Sequence, residues 1–336
     1  MRAFIAIMFG RKLSRFFAVT SKMQHATTRL KTEFSRLCLS TRWRMAVSGA
    51  CLLSLCVGAY ILFPELYLAT WTFEQTERYW ESNPRTTEAI VSLTTLPHRV
   101  GGLATVLKSI LLQSARVKRI HLYIPEKAAR DDAEYDIPKY LRYSHAVKIV
   151  RTPKDWGPST KFIPAVLTEL SNQMIIAIDD DVVYPNTLVE HLTSFSSQVP
   201  DAALATRGWN VPKSHLWAES GTLFGYQLST LTSVDIITGA GGYLLKPRFF
   251  DLDQLTDYKS APAAAFFVDD IWVSGMLSRH KTRKFLIPTN ARQTAQFLRN
   301  DANRGLINSV NKGGRNNDIM LEFFGKTGDW QYELAQ

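Results

Sequence analysis

The sequence predicts an α/β protein: a mostly parallel sheet with helices on both faces, preceded by a single transmembrane helix. Three observations carry this. Short apolar runs of strand length alternate with segments of helical period from residue 89 onward. One of those runs, Met174–Ile178, ends abruptly in Asp179, Asp180 and Asp181. Near the front, residues 45–63 carry no charged side chain at all.

Residues 1–44 hold ten Lys or Arg and a single acid, Glu33. They account for nearly all of the formal net charge of +10, so the rest of the chain is close to neutral. The high isoelectric point therefore gives no support for nucleic-acid binding by the main domain. Residues 45–63 would span about 28 Å as a helix, close to a bilayer core. Tyr60, Phe63, Tyr67, Trp71 and Phe73 gather at its far end, as interfacial aromatics do. Arg42 and Arg44 just before it place the tail in the cytosol and the large C-terminal part across the membrane. This is a type II signal-anchor arrangement, with the membrane a partner through 45–63. An organelle presequence is the alternative reading of an Arg-rich, acid-poor start. The three cysteines, Cys38, Cys51 and Cys56, all lie in the tail or span, so the main domain has no disulfide. Residues 64–87 read as a short stem and 88–336 as one domain, within the size range of a single α/β domain.

Within that domain Ala89–Leu93 is the first predicted strand. Leu103, Val106, Leu107, Ile110 and Leu111 then share one helical face. Val117–Ile124 and Ala146–Val150 are the next strands. A helix begins near Thr160–Phe162, where Pro164 fits only in the first turn. Met174–Ile178 follows as the fourth strand, and Thr187 with Glu190 reads as a capping box opening the next helix. Ser233–Thr238 is a strand leading into Gly239, Ala240, Gly241 and Gly242, a turn that admits close backbone approach. No Gly-Lys-Ser/Thr follows, so it is not a phosphate-binding P-loop. Phe266–Val268 runs into Asp269 and Asp270 at the start of a helix, where the dipole favours ionised carboxylates.

In parallel sheets ligands bind at the carboxyl ends of strands. Thr94–Arg99 and Asp179–Asp181 both fall at that edge. Three carboxylates at a strand tip repel one another, and a divalent cation with oxygen ligands would offset that cost. A solvated acidic turn is the plain alternative.

The segments VSLTTLPHRV (91–100), DWGPSTK (155–161), IDDDVVYP (178–185), ITGAGGYLLKP (237–247) and VDDIWVSGML (268–277) occur in an order that resembles the GT-A fold of nucleotide-sugar glycosyltransferases. The chain is similar to family 2 enzymes and to exostosin-type domains over most of 88–285. The resemblance implies a Rossmann-like GT-A sheet, a nucleoside-diphosphate sugar as donor, and Mn²⁺ or Mg²⁺ as cofactor. It implies that Thr94 and Arg99 border the nucleotide and that Lys161 lies by the nucleotide or pyrophosphate. Asp179 and Asp180 would face the ribose or donor sugar, and Asp181, with Asp179, would hold the metal. Gly241 and Gly242 would shape the acceptor side. Asp270, with Asp269 beside it, matches the acidic pair that supplies the general base. That pair is usually Glu-Asp, and here it is Asp-Asp. The implied acceptor is a hydroxyl of a glycan, glycoprotein or glycolipid, the implied setting a Golgi or other secretory-pathway membrane with a lumenal catalytic domain.

Two rivals are weighed against this. A sugar-phosphate nucleotidyltransferase carries a Gly-rich loop after the first strand, whereas here Gly101 and Gly102 follow Arg99. A membrane-anchored, inactive carbohydrate-binding or scaffold protein would have no need of both acidic sets. The basic stretch Arg279–Arg315 is read either as a lid over the diphosphate or as a solvated face. His98 and His280 are read as non-catalytic.

Overall fold

The structure, a computed structural model, describes residues 48–49, 51, 64–130, 133–290, 295–298 and 311–330. The chain divides into two units, 1–63 and 64–336. In the first, only Ser48, Gly49 and Cys51 are described, as helical and exposed. The expected tail and membrane span otherwise lie outside the described residues. Among the described residues no helix is long and apolar enough to cross a membrane.

The second unit opens with α1 (Pro64–Ala69) and α2 (Phe73–Ser82), then β1 (Ile90–Leu93), α3 (Ala104–Leu111) and β2 (Arg119–Pro125). Next come α4 (Lys139–Arg142), β3 (Val147–Thr152), α5 (Ile163–Thr168), β4 (Ile175–Ala177), β5 (Val182–Val183) and α6 (Leu188–Gln198). Strands β6 (Ala202–Ala205), β7 (Arg207–Trp209), β8 (Thr222–Phe224), β9 (Thr232–Ser233), β10 (Ile236–Ile237) and β11 (Tyr243–Leu245) follow. The described elements end with α7 (Leu252–Thr256), α8 (Asp269–Arg279), β12 (Arg283–Leu286), β13 (Gln296–Phe297) and α9 (Arg315–Lys326).

Eight strands form one sheet in the order β3-β2-β1-β4-β11-β6-β12-β9. The β3-β2-β1-β4 run and the β6-β12 pair are parallel, while β11 and β9 pair antiparallel with their neighbours. The period-2 alternation of strands splits their side chains between two cores. Ile90, Ile175, Ala203 and Leu245 enter one core, shared with Trp272 of α8 and Phe324 of α9. Val91, Ile176, Leu204 and Leu244 enter the other, shared with Leu107 of α3 and Leu192 of α6. This doubly covered, mostly parallel sheet is the predicted α/β class.

The residues read as a stem belong to the compact unit. Thr72 and Gln75 form a reciprocal capping box that starts α2. Glu77 is buried, accepting hydrogen bonds from Ser144 Oγ at 2.5 Å and the Ala146 N–H at 3.3 Å. Lys108 of α3 donates to the carbonyls of Leu68 and Trp71 at 3.2 and 2.6 Å.

Two local expectations are corrected. The capping box at Thr187 does not form, because Thr187 makes no side-chain cap bond. Gln113 Oε1 instead accepts the Val189 N–H at 3.0 Å, and Glu190 accepts from Ser114 Oγ at 2.6 Å. The Ser233–Thr238 strand is two strands in different sheets, β9 beside β12 and β10 beside β7. Between them the Asp235 carboxylate accepts the Val211 N–H at 2.8 Å, which breaks the run.

Candidate active site

The carboxyl end of β4 carries the acidic triplet into a cavity of about 840 Å³, lined also by Thr94, Arg99, Lys161, Asp269 and Asp270. Ligand sites of such sheets lie at this edge. The structure thus gathers predicted residues from four separated segments around one space.

Each carboxylate of the triplet has a different environment. Asp180 accepts from Thr95 Oγ1 at 2.6 Å and from the Arg99 guanidinium at 2.9 Å. Tyr135 fixes this corner by donating its hydroxyl to the Thr95 carbonyl at 2.9 Å. Arg99 also reaches Asp181 at 3.3 Å. Asp179 is held from both ends. Its N–H donates to Tyr184 Oη at 2.8 Å, that hydroxyl donates to the Gly239 carbonyl at 2.7 Å, and its side chain meets Lys161 Nζ. Asp181 keeps the most exposed carboxylate of the three-residue set, 40% against 25% for Asp179 and 11% for Asp180. Partial burial, then Asp179 and Asp180, push its pKa up to about 6 against the pull of Arg99.

The second acidic pair starts α8. Trp272 anchors that helix, being fully buried, donating Nε1–H to the Leu255 carbonyl at 3.1 Å and packing on Tyr258 and Phe324. Asp269 faces inward and pairs with Lys161 Nζ at 2.6 Å. Asp270 Oδ1 accepts the Gly239 N–H at 2.9 Å. Burial, then the neighbouring Asp269, push the Asp270 carboxyl up to about 8. Asp269 is also raised, first by burial, although Lys161 opposes this.

Lys161 is itself buried, its side chain only 4% exposed. Burial alone would lower its pKa, but Asp179 and Asp269 together hold it well above the usual lysine value. It is expected by the nucleotide or pyrophosphate, and it does line the cavity. Its ammonium, however, already serves as a bridge between the triplet and the second pair.

The glycine turn is corrected in detail. Gly241 and Gly242 do not line the cavity; Thr238 and Ala240 do. A Cβ on Gly241 would lie 2.6 Å from Arg207 Cβ, and Gly242 has φ +74° and packs on Leu188. The glycine at the acidic cluster is Gly239, where a Cβ would come within 2.4 Å of both Asp179 Oδ1 and Lys161 Nζ. The reason is packing: the turn must pass between Asp179 and Asp270 while leaving room for the lysine.

No protein-family model matches this sequence, and none of the characterised proteins compared with it is detectably similar.

Of the basic stretch 279–315, residues 279–290, 295–298 and 311–315 are described, and these do not form a uniformly solvated face. Lys284 is buried beneath α8, its Nζ donating to Ser278 Oγ at 2.5 Å and the Ser274 carbonyl at 3.3 Å. Farther on, β13 pairs with β5 directly behind the triplet, and the Leu298 N–H donates to the Asp181 carbonyl at 2.8 Å. Phe297 thereby reaches the cavity wall. Arg292, Arg299 and Arg304 lie outside the described residues. His280 is the C-cap residue of α8, at the opposite end of that helix from Asp269.

Sequence reasoning passed over Thr95, Tyr184, Gly239 and Arg207. Thr95 and Gly239 neighbour residues that were chosen, and only their contacts distinguish them. Tyr184 sits in the acidic segment, but nothing local shows that its hydroxyl joins Asp179 to Gly239. Arg207 carries no sequence signal, since it meets the cavity through sheet pairing alone.

Among the described residues no three His, Cys, Asp or Glu side chains form a ready metal cage. Asp180 is already neutralised by Arg99 and Asp179 by Lys161. Asp181 remains as a cavity-facing carboxylate whose raised pKa a cation would relieve. Such an incomplete donor set suits a cation that takes its remaining ligands from substrate phosphates and water.

Proposed function

We propose that this chain is a metal-dependent glycosyltransferase of GT-A type, moving a sugar from a nucleoside diphosphate to an acceptor hydroxyl. The observation that carries the reading is the meeting of two acidic motifs, distant in sequence, on one cavity through Lys161. Carboxylates with perturbed pKa values in a cleft are candidates for proton transfer and ligand binding. Asp181, with Asp179 beside it, would hold Mn²⁺ or Mg²⁺, and the bound ion supplies Lewis-acid stabilisation of a departing diphosphate. Arg99 and Thr95 orient Asp180 at the nucleotide side. Asp270 is the general base for the acceptor hydroxyl, giving inversion at the anomeric carbon. The basic tail 1–44 and the apolar stretch 45–63 support a single-pass type II protein, for which we propose a secretory membrane.

A second reading follows from the same geometry. Lys161 and Arg99 between them already pair with four of the five carboxylates, Asp179, Asp180, Asp181 and Asp269, which suits a membrane-anchored binding or scaffold protein without turnover. The two are separated by presenting the purified full chain in micelles with a panel of nucleotide sugars, with and without Mn²⁺. Metal-dependent release of nucleoside diphosphate, lost in Asp181→Ala, supports the transferase. Donor binding without release, unchanged by metal, supports the binding protein.

A further inference from the structure

Four basic side chains line the cavity among the described residues: Arg99, Arg130, Lys161 and Arg207. Arg99 and Lys161 are committed to carboxylates, and Arg130 has partners of its own. Arg207 differs. No carboxylate pairs with it among the described residues, and its one side-chain hydrogen bond is a long one to Thr238 Oγ1, 3.4 Å. Its Nε is buried without a hydrogen-bond partner. A guanidinium has five donors and accepts nothing. Leaving such a cation half-buried and unpaired is unfavourable unless something compensates.

Part of the compensation is aromatic. The guanidinium carbon lies 5.7 Å from the Phe224 ring centroid and 5.9 Å from that of Phe297. Phe224 is its cross-strand neighbour between β7 and β8. Phe297 arrives through the β13–β5 pairing described above. Gly241 allows the close approach that seats this strand, because any side chain there would strike the Arg207 backbone N at 2.7 Å. Among the described residues, these ring contacts leave Nε without a hydrogen-bond partner and Thr238 as the guanidinium's one weak acceptor.

The position is informative. Thr238, which meets Arg207, directly precedes Gly239, whose N–H holds Asp270. Arg207 is therefore tied, through Thr238, to the turn whose next residue holds the proposed base. We infer that Arg207 is an anion-recognition residue of this cavity, taking an oxyanion carried by the substrate. A planar fork suits carboxylate and phosphate oxygens bidentately. The oxyanion comes either from an anionic sugar or from the donor diphosphate. Assigning it to an acceptor or donor rests on the transferase reading; anion binding itself does not.

The test is equilibrium binding to the full chain in micelles, read by the fluorescence of Trp209 and Trp217, which line the cavity. The probes are glucuronate, inorganic pyrophosphate and neutral glucose. In Arg207→Gln at least one anionic probe is expected to bind roughly tenfold more weakly or worse, with glucose unaffected, the scale of a lost charged hydrogen bond. Arg207→Lys keeps the charge without the fork and should fall between. A loss confined to glucuronate identifies an anionic sugar; a loss confined to pyrophosphate identifies the diphosphate. If neither anion binds the wild type, or both bind Arg207→Gln and Arg207→Lys as they bind the wild type, the proposal is overturned. Equal thermal midpoints of the three proteins show that the fold is intact. Nucleoside diphosphate release by the wild type is scored in parallel; its failure would remove the transferase reading and leave the anion result standing.

Discussion

Lys161 Nζ lies 2.6 Å from Asp269 Oδ2 in the cavity wall, and the same ammonium meets Asp179. One lysine thus fixes the spacing between the strand-end triplet and the start of α8. Removing one member of a buried charge set leaves the others unpaired, typically at a cost of about 3–5 kcal/mol. Lys161→Met should lower stability on that scale, seen as a shifted urea midpoint with unchanged m-value. Asp269→Asn leaves the Lys161–Asp179 pair in place and should cost less. A loss below about 1 kcal/mol for Lys161→Met would mean that water already solvates this set.

Asp270 gives a pH dependence of defined sign. Its carboxyl is raised to about 8, first by burial and then by Asp269. A general base must be ionised, so turnover should climb about tenfold per pH unit below that value and level off above it. A rate that stays level from pH 6 to 9 would remove Asp270 from that role. Linkage adds a second readout. Between about pH 4 and 8 the folded state holds a proton that the unfolded state releases, so this group makes stability fall as pH rises. Asp270→Asn should abolish transfer yet raise the thermal midpoint at pH 9, since Asn can still accept the Gly239 N–H.

Much of this was open to sequence reading. The strand-end triplet follows from an apolar run of strand length meeting three acids, and Asp269–Asp270 from the same pattern at a helix start. Both landed on the cavity. What could not be read was partnership. Nothing local tells Asp181, the exposed carboxylate, from Asp180, which Thr95 and Arg99 occupy. Gly239, Gly241 and Gly242 look equivalent in sequence, yet one faces an ion pair, one a strand backbone and one a leucine. The split of Ser233–Thr238 into two sheets depends on Asp235 capturing the Val211 N–H, a bond between residues far apart in the chain.

The helix that presents Asp270 is seated by a glycine. A Cβ on Gly275 would lie 2.3–2.4 Å from three atoms of the Phe324 ring, and Phe324 is fully buried between Trp272 and Trp330. Alanine normally favours a helix interior by about 1 kcal/mol over glycine. Overpacking costs about 1–3 kcal/mol, and a ring wedged between two tryptophans has little room to yield. Gly275→Ala should therefore destabilise despite its helix propensity. Gly275→Ala combined with Phe324→Leu should recover part of the loss in the same denaturation experiment. No recovery would mean that the clash is not what sets the cost.

Lys284 supplies a pH effect of opposite direction in a higher window. Burial lowers its pKa to about 8, with Asp235 and Asp329 too weak to restore it. Unfolded, the lysine returns to about 10.4. Between those values the unfolded chain binds the proton and the folded chain does not, so stability rises with pH across that range. At roughly 1.4 kcal/mol per pH unit the full relief is about 3 kcal/mol. Below pH 8 both states are protonated and the cost of the buried charge is constant. Lys284→Met removes the charge while filling the space under α8. It should flatten the stability curve from pH 8 to 10 and raise the midpoint at pH 7, despite losing the bonds to Ser274 and Ser278. If wild type and Lys284→Met keep the same slope over that range, Lys284 is solvated in the folded protein, and α8 does not close over it as the structure has it.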